Sequence, residues 1–297
     1  MEKSQNLETY VLLFILTGIA VGVISRLWML KSDVRQYPTL PNGYLIHVTI
    51  AFVAASMGAV AYPALKDKNF AAVTFLATAI QHFRDVRKME KESLDALESD
   101  SYAPRGAAYI DGIAKTFEAR NYIVIITSLT TTVSAYILRN FMSNTIIILI
   151  IAAVIGFLIA YLLKNYTKGQ KLKDIIHIEE APLSFKDNFD LYVGDILVMN
   201  VGLSSIREKI LKDGIGLILK PKNENENEII ILNHKGQRDA IMHECSRLLG
   251  LEKYVATERD FNTGRVALII VPIVKNTEML KEIVLNIPIL ETVRKVN

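Results

Sequence analysis

Four stretches of the chain are nearly free of charge over the roughly 20 residues that a helix needs to cross a bilayer. They are YVLLFILTGIAVGVISRLWML at 10–30, GYLIHVTIAFVAASMGAVAYPAL at 43–65, YIVIITSLTTTVSAYIL at 122–138 and TIIILIIAAVIGFLIAYLL at 145–163. The last two are expected to form a helical hairpin around RNFMSN. The single charge in the first, Arg26, lies near one end, where its long side chain is expected to snorkel to the interface. A fifth stretch, about 69–83, is apolar all round in its FAAVTFLATAI portion. Its 70–83 core covers only about 21 Å at roughly 1.5 Å per residue. It crosses with help from Lys68 and Arg84, or it forms a re-entrant hairpin with the second stretch.

The overall averages conceal this. Over 297 residues the hydrophobic fraction is 51% and the net charge is +3. Residues 1–169 carry 16 Lys and Arg against 12 Asp and Glu, and residues 170–297 carry 18 against 19. The basic excess therefore flanks the apolar segments, the pattern of a membrane protein, and is too small to imply a nucleic-acid partner. With five crossings and the N-terminus outside, 12 of the 16 basic residues lie on the cytoplasmic side; with four crossings and the N-terminus inside, the count is the same. Both arrangements put 84–120 and everything after Lys164 in the cytoplasm. The single cysteine, Cys245, excludes an internal disulfide framework. No short basic segment with a clear cleavage site precedes the first apolar stretch, so no cleavable leader is expected.

Residues 1–168 thus read as an α-helical polytopic membrane domain of four or five helices, with a cytoplasmic elbow at 84–120. RDVRKMEKESLDALESD, at 84–100, reads as a solvated helix that SYAPRG interrupts. A new helix from Ala107 leads into the span at 122. Within PRGAAYIDGIAKTFEARN (104–121), Ile110, Ile113 and Phe117 recur at helical spacing, and Asp111 and Lys115 stand four apart with the acid first. This stretch resembles the signature of the YIEGIA family. Tyr109-Ile110-Asp111-Gly112-Ile113-Ala114 departs from the family name only in Asp for Glu, and the flanking Pro104-Arg105-Gly106 and Phe117-Glu118-Ala119-Arg120-Asn121 fit as well. The order of apolar segments extends the resemblance over most of the chain. It implies a polytopic membrane protein of endospore-forming bacteria associated with sporulation, located in the inner (cytoplasmic) membrane or in that of the forespore or spore. It also implies a small protein partner of the kind described as a capping-complex subunit.

The motif offers Arg105, Tyr109, Asp111, Gly112, Phe117, Glu118, Arg120 and Asn121 as candidate partner-binding residues. Gly112 would let another helix or a ligand approach the backbone. Arg105, Asp111, Glu118 and Arg120 could form a charge network at the membrane surface, against the plainer reading of a packed amphipathic elbow with surface ion pairs. Within the spans, His47 is a polar group a few residues inside. Thr127, Thr131 and Ser134 share a face that could line a polar path, although hydroxyls in such helices more often bond their own carbonyls. Gly18-x-x-x-Gly22 with Ser25 reads as a packing face.

Residues 169–297 read as a cytoplasmic α/β domain. Expected strands lie at 174–179, within 191–203, at 215–222, 228–233 and 265–274, with a possible one at 287–293. Expected helices lie at 204–214, capped by serine and stopped by glycine, at 236–250 and at 276–285. The β-α-β-β-α-β order from 191 to 274 suggests a ferredoxin-like unit. The Glu/Asn run at 223–228 reads as a solvated turn. His234, His243, Glu244 and Cys245 match no zinc spacing. Cys245 shares a face with Ile241, Leu248 and Leu249 and is expected in the core; His243 is expected on the opposite, solvated face. No phosphate-binding loop or dinucleotide fingerprint is present. No catalytic residue, metal or cofactor is therefore expected. The reading is a non-enzymatic scaffold or subunit of a membrane complex, with lipid and protein partners and possible self-association. The alternative is a transporter or channel subunit with a cytoplasmic regulatory domain.

Overall fold

A computed structural model describes residues 2–33, 41–101, 103–187, 189–223 and 226–290. The chain divides into two compact units. One comprises 1–90 and 113–168, and the other 91–112 and 169–297.

The first unit is helical. Its elements are α1 (Glu2–Asp33), α2 (Pro41–Lys66), α3 (Phe70–Ala96), the part of α4 (Ala107–Arg139) after Gly112, and α5 (Thr145–Tyr166). Segments of α1, α2, α4 and α5 are long and apolar enough to cross a membrane. Helix α5 starts cleanly because the Asn144 side chain accepts from the Ile146 and Ile147 amides, meeting two of the donors that a helix start leaves open.

Cross-helix contacts fix the directions. The Tyr10 ring lies under Arg139 and Phe14 packs on Tyr136. At the other end, Trp28 stacks on Tyr161 and lies under Lys164. Helix α1 is therefore antiparallel to α4 and parallel to α5. His47 meets Phe117, and Tyr62 meets Tyr136, so α2 runs parallel to α4.

Small residues let these helices close. The Ser128 hydroxyl donates to the Ala55 carbonyl at 2.6 Å. A methyl group at Gly58 would overlap the Ile125 carbonyl, one at Gly18 the Thr132 hydroxyl, and one at Gly156 the Thr131 hydroxyl. The packing face expected at Gly18, Gly22 and Ser25 is present: Ser25 is fully buried, and a methyl at Gly22 would press on Ala55. This is the close helix packing that small residues permit in lipid. Arg26 is a correction to the snorkelling expectation. It is 1% exposed, with its guanidinium 3.3 Å from His47 Nδ1 and over the Phe117 ring. Three helices converge there, and their side chains offer polar and aromatic contacts inside the unit.

The second unit is α/β. Strand β1 (Ile176–Glu180) is followed by the meander β2 (Leu183–Lys186), β3 (Asp190–Val193) and β4 (Ile196–Asn200). Then come α6 (Ser204–Asp213), β5 (Ile215–Pro221), α7 (Glu226–Asn233), α8 (Lys235–Leu249), β6 (Leu251–Arg259), β7 (Val266–Pro272) and α9 (Thr277–Asn286). A four-stranded sheet has the order β1-β5-β7-β6, and a three-stranded sheet the order β2-β3-β4. Every pairing is antiparallel. Ala267, Ile269 and Val271 of β7 pack with Leu191, Val193 and Ile196 of the small sheet. The alternate residues Val266, Leu268 and Ile270 are also fully buried, and α8 packs against β6 and β7. Covering on both faces explains why β7 reads as an unbroken apolar run.

The ferredoxin-like order is not observed. That fold needs a parallel central pair, and this sheet has none. The stretch expected as a strand at 228–233 is helix α7. Its buried residues, Glu228, Ile231 and Leu232, recur at helical spacing, and acids in its first turn suit a helix start. Glu228 is not a solvated turn residue: its carboxylate accepts from the Asn223 backbone and side-chain amides. The segment 191–203 folds as a hairpin, with Gly194 at φ +63 in its turn. Helix α6 has Leu203 at its cap with no side-chain bond, so its serines do not cap it. Residues 287–290 form only an isolated bridge at Pro288, and 291–293 lie outside the described residues.

Candidate functional site

The motif at 104–121 is divided by the fold. Residues up to Gly112 belong to the α/β unit, and those from Ile113 to the helical unit.

In the α/β unit the motif closes on helix α8. Tyr109 is 4% exposed, and its hydroxyl donates to Glu244 at 2.8 Å. The other Glu244 oxygen accepts from Arg247 at 2.7 Å. Burial and the adjacent carboxylate raise the Tyr109 phenol above its ordinary value. His243 Nδ1 lies 2.7 Å from the Ala103 carbonyl, which makes Nδ1 the protonated nitrogen. His243 is 8% exposed. The solvated position expected for it is therefore wrong: residues 103–109 cover that face of α8. Leu248, expected in the core, is 42% exposed, whereas Cys245 is fully buried. Arg105 pairs with Glu98 at 3.1 Å, and the other Glu98 oxygen accepts the Gly106 amide.

Gly106 has φ +80, with Asp239 against it. At Gly112 the space is open: a methyl there would meet only Leu290, at 3.9 Å. Backbone freedom is thus needed at Gly106, a glycine that sequence spacing did not single out. Gly106→Ala should cost about 1–2 kcal/mol from left-handed backbone strain. Gly112→Ala should be neutral or stabilising by up to about 1 kcal/mol through helix propensity. Thermal unfolding of the two purified variants compares them directly.

His243 also sets a pH dependence. Burial pushes its pKa below the ordinary 6.5 and Arg105 acts in the same direction, while the Ala103 bond, Glu244 and Glu98 oppose the shift. Between the depressed value and 6.5, a released elbow binds a proton that the docked one does not. Docking is therefore strongest above about pH 6.5 and weakens as the pH falls. Once the intrinsic pH dependence of exchange is divided out, amide protection over 98–106 should fall more between pH 7.5 and 5.5 in the native chain than in His243→Gln.

In the helical unit, Phe117, Arg120 and Asn121 are buried at 3%, 8% and 2% exposure. Arg120 reaches Thr167 at 3.3 Å, and Glu118 pairs with Arg87 and accepts from Tyr122, both at 2.9 Å. Asp111, in the other unit, lies 3.7 Å from Lys91. Within each unit these charges thus have partners outside the motif: Glu98 for Arg105, Lys91 for Asp111, Arg87 for Glu118 and Thr167 for Arg120. The Thr127 and Thr131 side chains are fully buried, Ser134 only partly. Thr131 donates to the Thr127 carbonyl of its own helix at 2.8 Å, whereas the buried Thr127 hydroxyl has no hydrogen-bond partner among the described residues. Among the described residues, no group of three His, Cys, Asp or Glu side chains is arranged to hold a metal.

A helical unit with membrane-length apolar helices, joined to an antiparallel α/β unit through an inward-closed motif, defines a two-part membrane protein class. The model of the YIEGIA protein family matches residues 14–297, and the chain belongs to that family. It is 43% identical over 284 residues to the uncharacterized protein YphB of Bacillus subtilis (strain 168), covering 93% of this chain and 92% of the relative. No solved structure matches.

Proposed function

We propose that the chain is a non-enzymatic membrane scaffold that presents its α/β unit to protein partners in a sporulation-associated complex. The observation that carries this reading is the inward use of the motif. Tyr109, Arg105, Asp111, Glu118 and Arg120 all have partners within their own unit, as groups that hold an elbow in place do. Recruitment then falls to the outward surface of the α/β unit, where Phe261, Ile273 and Leu203 are 77%, 68% and 64% exposed. The 12-to-4 distribution of basic residues favours a cytoplasmic α/β unit. A small capping-type subunit is the expected partner class, by the family resemblance. A transporter or channel subunit is the second reading: Ser128 and Thr131 donate to helix carbonyls, but the buried Thr127 and Thr132 hydroxyls have no hydrogen-bond partner among the described residues.

The test is affinity purification of the full-length chain from sporulating cells in mild detergent. Specific co-purifying proteins are expected, and they should be lost when Phe261 and Ile273 are replaced by Ser. Recovery of the folded chain alone would refute the scaffold reading.

A further inference from the structure

We infer that helix α3 is a fifth membrane crossing, so that the chain enters α1 on one side of the bilayer and leaves α5 on the other. The inference rests on helix direction within the helical unit, independently of what the α/β unit binds. It goes beyond hydropathy, because four apolar segments alone would return the chain to the side on which it began.

The parallel arrangement of α2 and α4 is the first step. His47 and Phe117 meet at one end, and Tyr62 and Lys66 meet Tyr136 at the other. Two parallel spans enter from the same side and leave on the same side. The chain leaves α2 at the Lys66 end and must enter the span of α4 at the Phe117 end. Residues 67–116 therefore have to recross the membrane.

Helix α3 follows that path. A tight turn joins it to α2, with the Asn69 amide donating to the Ala64 carbonyl and the Asn69 side chain capping Ala72. Thirteen residues into α3, Phe83 is 4% exposed and packs in one cluster with Ala54, Met57, Ile123 and Val124. Helix α3 thus runs back beside α2. Further on, Arg84 reaches Tyr122, and Arg87 pairs with Glu118, so α3 arrives at the end where α4 enters. Its 27 residues extend about 40 Å at roughly 1.5 Å each, enough to cross and to project a charged turn or two beyond. Its apolar part, 70–83, is short, but Lys66, Lys68 and Arg84 bracket it, and flanking cations of this kind reach to the interfaces when a span is short. On its outer side Phe70 and Ile80 are 77% and 42% exposed, as lipid-facing residues are.

The directions of α1 and α5 complete the topology. They are parallel, so α1 begins on the side where α5 begins. The chain enters α1 on one side and leaves α5 on the other.

Cysteine labelling of the full-length chain in intact cells and in inverted vesicles tests this, in a Cys245→Ala background. Single cysteines replace Lys66, the last residue of α2, or Asp67, Ser101, Ser143 or Gly169, which lie outside the five helices, and an impermeant maleimide is the probe. The inference expects positions 66, 67 and 143 to label from one side, and 101 and 169 only from the other. Labelling of 66 and 67 from the side that labels 101, or from neither side, would overturn it. Equal thermal unfolding of each variant and its parent establishes that the labelled chains are folded.

Discussion

Gly58→Ala should destabilise the helical unit by about 3 kcal/mol, the upper end for overpacking, and Gly58→Leu should leave little folded chain in the membrane. The reason is backbone on backbone. A methyl at this position would overlap the Ile125 carbonyl, and the neighbouring Ile125 Cα lies within 3.1 Å. No rotamer change relieves such a clash; α2 and α4 would have to separate. Separation would also break the Ser128 bond to the Ala55 carbonyl, leaving a polar group without its partner in a dry environment. Val53, on the same helix but 44% exposed, provides the comparison: Val53→Leu should be silent. Thermal unfolding in detergent and the amount of chain in the membrane fraction measure both.

Tyr109→Ala is the second large effect, at about 3–5 kcal/mol, as for other buried aromatic truncations. The ring fills space against His243, with centroids 6.3 Å apart, and its hydroxyl satisfies Glu244. Tyr109→Phe keeps the ring and removes one hydrogen bond, for about 1 kcal/mol, because Arg247 still holds the Glu244 carboxylate. Limited proteolysis between 97 and 106 should separate the two. The alanine variant should be cleaved rapidly at that site and the phenylalanine variant close to the native rate. Equal cleavage of all three chains would show that Tyr109 does not hold the elbow.

The membrane half was legible because its determinants are local. Uninterrupted apolar length marked α1, α2, α4 and α5, and the Pro104–Gly106 break placed the start of α4 at Ala107. Other features were hidden for identifiable reasons. The burial of His243 and Arg26 depends on groups 140 and 21 residues away, which no helical wheel displays. The apolar run Ile229–Leu232 carries no period long enough to separate strand from helix, and its identity followed from acids ahead of it and burial on one side. Strand β6 was missed because Leu251–Arg259 mixes charged and apolar residues at the sheet edge, with a burial pattern broken by a register shift. For the motif, the sequence did not show the partners: Tyr109 pairs with Glu244 on a helix 135 residues further on, and the positive φ falls at Gly106.

Cys245 gives the chain an internal clock. It is the single thiol in 297 residues, it is fully buried on α8, and burial raises its pKa well beyond the usual thiol range. In the closed molecule a thiol reagent has neither access nor thiolate to attack. Its reaction rate with the unmodified protein therefore counts openings of the α8 layer. Because Glu244, the residue that Tyr109 holds, is the immediate neighbour of Cys245, that count registers loosening of the elbow without any label being introduced.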